Sequence, residues 1–532
     1  MKRAILAACV AALSAASALA HDEDSGALAG LGTVSFPNSC SGAAKDKFLR
    51  GVAMLHSFWF AAGEQTFQDV AAEDPGCAPI AAWGFASILM SNPLAGIGAS
   101  AKDAARASAA IEKGRAAGAK TERERDYLEA VAAYYENFAQ RTERERQLAR
   151  AKAYEALAAK YPADDEAQIF YALYLAGTQL QSDQSYAAYL KAAAILEQQF
   201  AKHPNHPGVA HYLIHSYDAP PIAAKGVPAA KRYASIAPDA PHALHMPSHI
   251  FTRVGAWKES VATNRRSATV AEKANDNGEA LHAMDYMMYA DLQLGRDREA
   301  FETYREAAAV FAKGVKPGFP AGAYAMAAIP ARYALERGAW REAAALAPTK
   351  SDFPFTEALT YHARALGAAR SGDPVSAKAD LRRLEERRDA LREAKNVYWA
   401  TEVEVMRLSA AAWISLAEGR SEEALGLMRQ AADAEDRNEK HIVTPGRVLP
   451  AREQLGDMLT ETKRPAEALE AYEQSQKREP DRLRGLYGAA RAAELAGDSV
   501  RARAYYARLL QVAGNGEARP ELEHARQYLK RA

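Results

Sequence analysis

Three short segments hold the residues best suited to chemistry: HYLIHSYD (His211 to Asp218), HALHMPSH (His242 to His249) and HAMDYMMY (His282 to Tyr289). Within each, polar side chains recur every three or four residues, as His211, His215 and Asp218, then His242, His245 and His249, then His282, Asp285 and Tyr289. At about 100° per residue each trio shares one face of a helix. Neutral imidazole is the commonest metal ligand, and His-x-x-x-His presents two nitrogens to one ion while a neighbouring helix supplies a third. The candidate ligands are therefore His211, His215, Asp218, His242, His245, His249, His282 and Asp285. Six imidazoles exceed what one tetrahedral site uses, so one open site with hydrogen-bonded supporters and a two-metal site both fit. Nearby thioethers (Met246, Met284, Met287, Met288) would draw copper, whereas Asp218, Asp285 and Tyr289 would draw zinc or iron. The competing account needs no metal: buried His and Asp satisfy one another, and the methionines fill a core.

The elements that position these residues follow from a period. Gly456, Ala468, Tyr472 and Pro480 are followed 34 residues later by Ala490, Ala502 and Tyr506, and the proline place is lost as the chain ends. Small residues let two helices approach, the aromatic ring fills the gap to the next pair, and proline ends a helix by withholding an amide proton. Gly51, Phe67 and Pro75 repeat the pattern near the start, as do REAFETYREAA (from Arg298) and EEALGLMRQAA (from Glu422). This period resembles the tetratricopeptide repeat, a helix-turn-helix unit, and implies an all-α solenoid winding as a right-handed superhelix without a sheet. The resemblance is closest after Arg420.

HYLIHSYDAP and HALHMPSHIF resemble hallmarks of a bacterial secreted tetratricopeptide family whose members carry no assigned reaction. The resemblance implies that the three histidine faces occupy concave places of successive repeats and look into one cavity. His56 falls on a concave place of an early unit, and Tyr286, Tyr289 and Met246 stand beside the candidate ligands in the groove. By the same register Glu453, Asp457, Tyr487 and Arg491 line a C-terminal groove suited to an envelope protein or peptide. In that alternative the protein is a non-catalytic scaffold. His203 and His206 read as solvent-facing loop residues, and His362, His441 and His524 lack partners at ligand spacing. Pro247 either kinks a helix or begins one.

The remaining boundaries come from composition. Residues 1–20 read as a cleavable signal peptide, with Lys2 and Arg3 ahead of an apolar stretch and Ala18-Leu19-Ala20 at the cut, which implies a periplasmic or secreted protein. Too few apolar residues precede Cys9 for the lipoprotein-like Leu6–Cys9 box to act. After cleavage His21 would lead an acidic tail, residues 21–43, with an amine and an imidazole able to chelate copper. Helical repeats are expected over 44–205, His-rich central repeats over 206–312, further repeats over 323–442 and C-terminal repeats over 450–532. KGVKPGFPAG and VTPGRVLP bend or interrupt the superhelix between them. Cys40 and Cys77 remain as one disulfide or as two buried thiols. Over 532 residues, 67 Lys+Arg balance 67 Asp+Glu, so nothing marks a nucleic-acid partner, and no later run reaches the ~20 apolar residues of a membrane span. A phosphate-binding Gly loop, a nucleophile elbow, CxxC and HExxH are all absent.

Overall fold

The computed structural model describes residues 27–315 and 320–531. The expected leader (residues 1–20), with Cys9, and His21 lie outside the described residues. The chain is an all-α helical-repeat protein whose successive helices pair as antiparallel hairpins, from Gly42–His56 with Phe60–Glu73 to Leu483–Leu495 with Ser499–Ala513. Its only extended pairing among the described residues is two residues long, Ala27–Leu28 against Gly32–Thr33, and it makes no layer of the fold.

The packing reason for the repeat is visible at two places. A Cβ on Gly456 or Gly488 would lie 2.6 or 2.2 Å from the Tyr472 ring, so only glycine admits that ring between three helices. Near the start, Phe67 is held in the same way by Gly51 and Gly84, where a Cβ would come within 2.9 or 2.2 Å of it. Cys40 and Cys77 are joined, Cα to Cα 4.9 Å, fastening the N-terminal segment to the turn before the Ala78–Leu89 helix.

Two departures from a plain solenoid position the site. The C-terminal repeats fold back on the central ones: Trp257 Nε1 donates to the Asp481 carbonyl (2.9 Å), the Leu483 amide to Gln293 Oε1 (3.0 Å) and the Glu517 amide to the Gly295 carbonyl (2.8 Å). Arg519 pairs with Asp297 across the same contact. The second departure is the Asn438–Pro450 segment, which contains the VTPGRVLP stretch expected to bend or interrupt the superhelix. It is buried along nearly its whole length. Arg332 donates to the carbonyls of Gly446 (2.7 Å) and Arg447 (2.9 Å), Tyr286 to those of Ile442 (3.1 Å) and Thr444 (3.0 Å), and Tyr398 to that of Glu439 (3.0 Å). From the N-terminal half, Gln181 accepts the Glu439 amide (2.8 Å) and the Ala95 carbonyl accepts His441 Nε2 (3.1 Å). Backbone groups buried this way need partners, and these contacts supply them for the carbonyls of Glu439, Ile442, Thr444, Gly446 and Arg447 and for the Glu439 amide.

Candidate metal centre

The histidine segments lie on four helices. HYLIHS occupies the Pro207–Ser216 helix, which ends before Asp218. HALHMPSH is divided between Pro241–His245 and Pro247–Arg253: Pro247 starts the second short helix at its first turn, where its missing N–H costs nothing. HAMDYMMY lies within Asn277–Gln293. The Met246 amide still bonds to the His242 carbonyl (2.9 Å), so the two short helices run on from one another.

All six imidazoles converge, and all are buried. They form two triads, His211 with His215 and His242, and His245 with His249 and His282; within each, one nitrogen per ring lies within 4.8 Å of the others. The protonation of several rings is fixed from outside. His211 Nδ1 donates to the His56 carbonyl (2.7 Å), which leaves Nε2 as a bare acceptor with no partner. His242 Nδ1 meets Glu279 Oε2 (3.2 Å), and its Nε2 is likewise unpartnered. Neither nitrogen of His215 has a partner, nor has His282 Nδ1.

The second triad shows the conflict most directly. Asn264 donates its Nδ2 to the Ser260 carbonyl (2.7 Å), so its Oδ1 faces His245 Nδ1 (2.7 Å) and that nitrogen must carry the proton. His249 Nδ1 donates to Asp218 Oδ2 (2.9 Å). Both Nε2 atoms are then lone pairs, yet they face each other at 3.0 Å. Burial holds His211, His215 and His245 far below the usual imidazole range and puts His249 at about 4 and His282 at about 3. Protonation therefore does not relieve the contact near neutral pH. A cation between the rings would.

A third cluster makes the contrast. His56, Glu166 and His206 meet the same distance test. There, His56 Nε2 and His206 Nε2 donate to the two Glu166 oxygens (3.0 and 2.9 Å), Tyr212 lies 2.9 Å from His56 Nδ1, and the Val209 amide donates to His206 Nδ1 (3.3 Å). Every nitrogen is used, so this is a hydrogen-bonded network and not a ligand set. It also corrects the reading of His206 as a solvent-facing residue: it is buried and caps the Pro207–Ser216 helix. His56 serves the site through its backbone carbonyl, not its ring.

Several expected ligands stand elsewhere. Asp218 lies behind His249, compensated by Arg253 (2.8 Å) and Lys440 (3.0 Å). Asp285 pairs with Arg332 (2.9 Å), and Tyr289 accepts from Arg482 (2.7 Å). Both share the face of His282, but at about 1.5 Å per residue they lie one and two turns further along, against different neighbours. Tyr286 takes the neighbouring place instead, its ring centroid 4.6 Å from His245 and 5.1 Å from His249. Met246 belongs to the N-terminal apolar core and Met284, Met287 and Met288 to the central one, so no thioether joins the donors. Sequence reasoning missed Asn264, Arg253 and Lys440. It also missed Glu279, although its spacing three residues before His282 was available as a signal.

A cavity of about 470 Å³ reaches His215, His242, His249, His282 and Glu279 between walls that include Phe60, Leu89, Ile97, Phe353 and Val443. Of the residues expected to line a C-terminal peptide groove, Glu453 is buried, while Asp457, Tyr487 and Arg491 are half-buried. Glu453 is buried against Arg482 (2.7 Å), Asp457 takes hydrogen bonds from Tyr472 (2.5 Å) and Arg484 (2.6 Å), and Arg491 pairs with Glu494 (2.9 Å). Tyr487 packs at the edge against His524. No described helix is long and apolar enough to cross a membrane.

No family model matches the chain, and no curated protein matches it. Among solved structures it is similar to the APC/C hetero-tetramer Cut9–Hcn1, with 10% identity over 92% of this chain and 96% of that one and a TM-score of 0.30. It is also similar to the human IFIT1 dimer with m7Gppp-AAAA, with 10% identity over 86% and 95% and a TM-score of 0.36.

Proposed function

We propose that this protein binds transition-metal ions through His211, His215, His242, His245, His249 and His282, at the end of a cavity that admits a small molecule. One observation carries the reading: His245 and His249 present unprotonated Nε2 atoms to each other at 3.0 Å, with both protons fixed on the far nitrogens. Two lone pairs forced together in the interior cost free energy that a bound cation turns into stabilisation. The outer partners support it, since ligating imidazoles characteristically donate their other N–H to a carbonyl, amide or carboxylate. The resemblance to secreted tetratricopeptide proteins, the leader over residues 1–20 and the Cys40–Cys77 disulfide support a periplasmic or secreted location.

Metal analysis of the purified protein, beside a His211→Ala/His245→Ala double variant and a His362→Ala control, tests the reading. His362 is also buried but bonds only to Ser409 (2.9 Å), well outside the site. Stoichiometric metal in the wild type and the control, lost from the double variant with its helical circular dichroism retained, is the expected result. Metal far below one equivalent in all three overturns the proposal.

A further inference from the structure

We infer that the six histidines hold a pair of copper ions that enter in the cuprous state and bind dioxygen between them; this rests on the metal-binding reading above. The first ground is spacing. Ring centroids within the triads are separated by 4.9 Å (His211–His215), 5.1 Å (His211–His242), 5.0 Å (His245–His249) and 4.3 Å (His245–His282). Across the triads the separations are 5.4 Å (His215–His249) and 5.9 Å (His242–His245), scarcely larger. The two triads therefore form one cage, and ions in both would be neighbours of the kind found in two-metal sites.

The second ground is charge. Asp218 and Asp285 are each committed to cationic side chains, and the methionines lie in the core, so the donors are six neutral imidazoles. A pair of divalent ions brings four positive charges into this buried cage with no anionic ligand between them, and such pairs are ordinarily bridged by carboxylates or hydroxide. Two cuprous ions bring half that charge, and Glu279, at His242, lies close enough to offset part of it. Imidazole suits copper, and copper heads the order of divalent affinities, so the same donors retain the ion after it is oxidised.

The third ground is access. The cavity reaches both triads, touching His215 and His242 of one and His249 and His282 of the other, through largely apolar walls that pass a neutral molecule. Dioxygen arriving there meets two one-electron donors side by side. Each cuprous ion gives one electron, the oxygen–oxygen bond order falls from two to one, and peroxide is left between two cupric ions. No proton enters and no atom leaves.

Anaerobic titration of the full chain with cuprous ion against a chromophoric cuprous chelator, followed by exposure to air and electron paramagnetic resonance, tests this. The expected result is two coppers per chain, a spectrum that stays nearly silent after air because adjacent cupric ions couple their spins, and a peroxide-to-cupric charge-transfer absorption that sets this state apart from the equally silent cuprous one. His211→Ala should bind one copper and give the signal of an isolated cupric ion, with unchanged circular dichroism. One copper per wild-type chain, two coppers giving two independent full-intensity signals, or coppers that stay cuprous in air would each overturn the inference. So would a protein that takes zinc and refuses cuprous ion, although that outcome leaves metal binding intact. Absence of any metal would defeat the underlying reading itself.

Discussion

A neutral imidazole has one donor and one acceptor, so its environment decides which nitrogen is free. Asn264 makes that decision for His245 from the far side of the ring, away from the proposed metal. Asn264→Ala should leave the fold in place and lower metal affinity by roughly 10- to 100-fold, as removal of such outer partners does. Competition against a chelator of known affinity measures it, and an unchanged affinity would remove Asn264 from the account. Acidity gives a second expectation for the metal-free chain. Burial puts His249 at about 4 and His282 at about 3, against an ordinary 6.5 once unfolded. Between pH 6.5 and 4 the unfolded chain thus binds more protons than the folded one, so stability falls as pH falls through this window. Above pH 7 these two groups contribute no slope. Melting temperatures recorded from pH 7.5 to 4.5 should drop for the wild type and drop less for a His249→Asn/His282→Asn variant; parallel profiles would contradict the assignment.

At the scale of elements, the Asn438–Pro450 segment is the part with no counterpart in a simple repeat. Its anchor is Arg332, which is fully buried, paired with Asp285 and bonded to Thr444, Gly446 and Arg447. Arg332→Met leaves the Asp285 carboxylate buried and alone, a loss of about 3–5 kcal/mol by analogy with broken interior pairs. Denaturant unfolding should show that loss, and limited proteolysis should cut within 438–450. Adding Asp285→Leu should recover much of the stability but not the protection, because the carbonyls stay unpartnered. If protection returned as well, the segment would be held by packing alone. The same element shows how far the sequence could be read. The 34-residue period and the four-residue His spacing are local regularities imposed by helix geometry, so the repeat and the six imidazoles were legible. The approach of Lys440 to Asp218, 222 residues apart, leaves no periodic trace. Asp285 and Tyr289 were misplaced for a related reason: a shared helical face fixes direction, and the neighbours met along that direction change every turn.

For the whole molecule, contacts between the C-terminal and central repeats replace the neighbour-only coupling of an open solenoid. An array bonded only to its neighbours melts in stages and tolerates the loss of terminal repeats. This chain, closed by Trp257–Asp481, Gln293–Leu483 and Asp297–Arg519, should instead unfold in one calorimetric transition. Truncation after residue 463 should lower the midpoint of the remainder and release its metal. Two well separated transitions in the intact chain, with metal leaving in only one, would show the closure to be energetically minor.

The buried Asn438–Pro450 segment also sets an order of events in time. A chain emerging from its amino end presents all six histidines by residue 282, more than 150 residues before the strip that comes to lie against Tyr286 and the Asp218 pair behind His249. Until that strip arrives, Tyr286 and Arg332 lack the carbonyls of residues 442–447 that they hold in the folded chain, and the cage would stand open on that side. The proposed ions would have their widest entry during this interval, and insertion of the strip would end it. An element made later would thus close a centre whose ligands came earlier, and how quickly it docks would fix how long the protein has to collect the proposed metal.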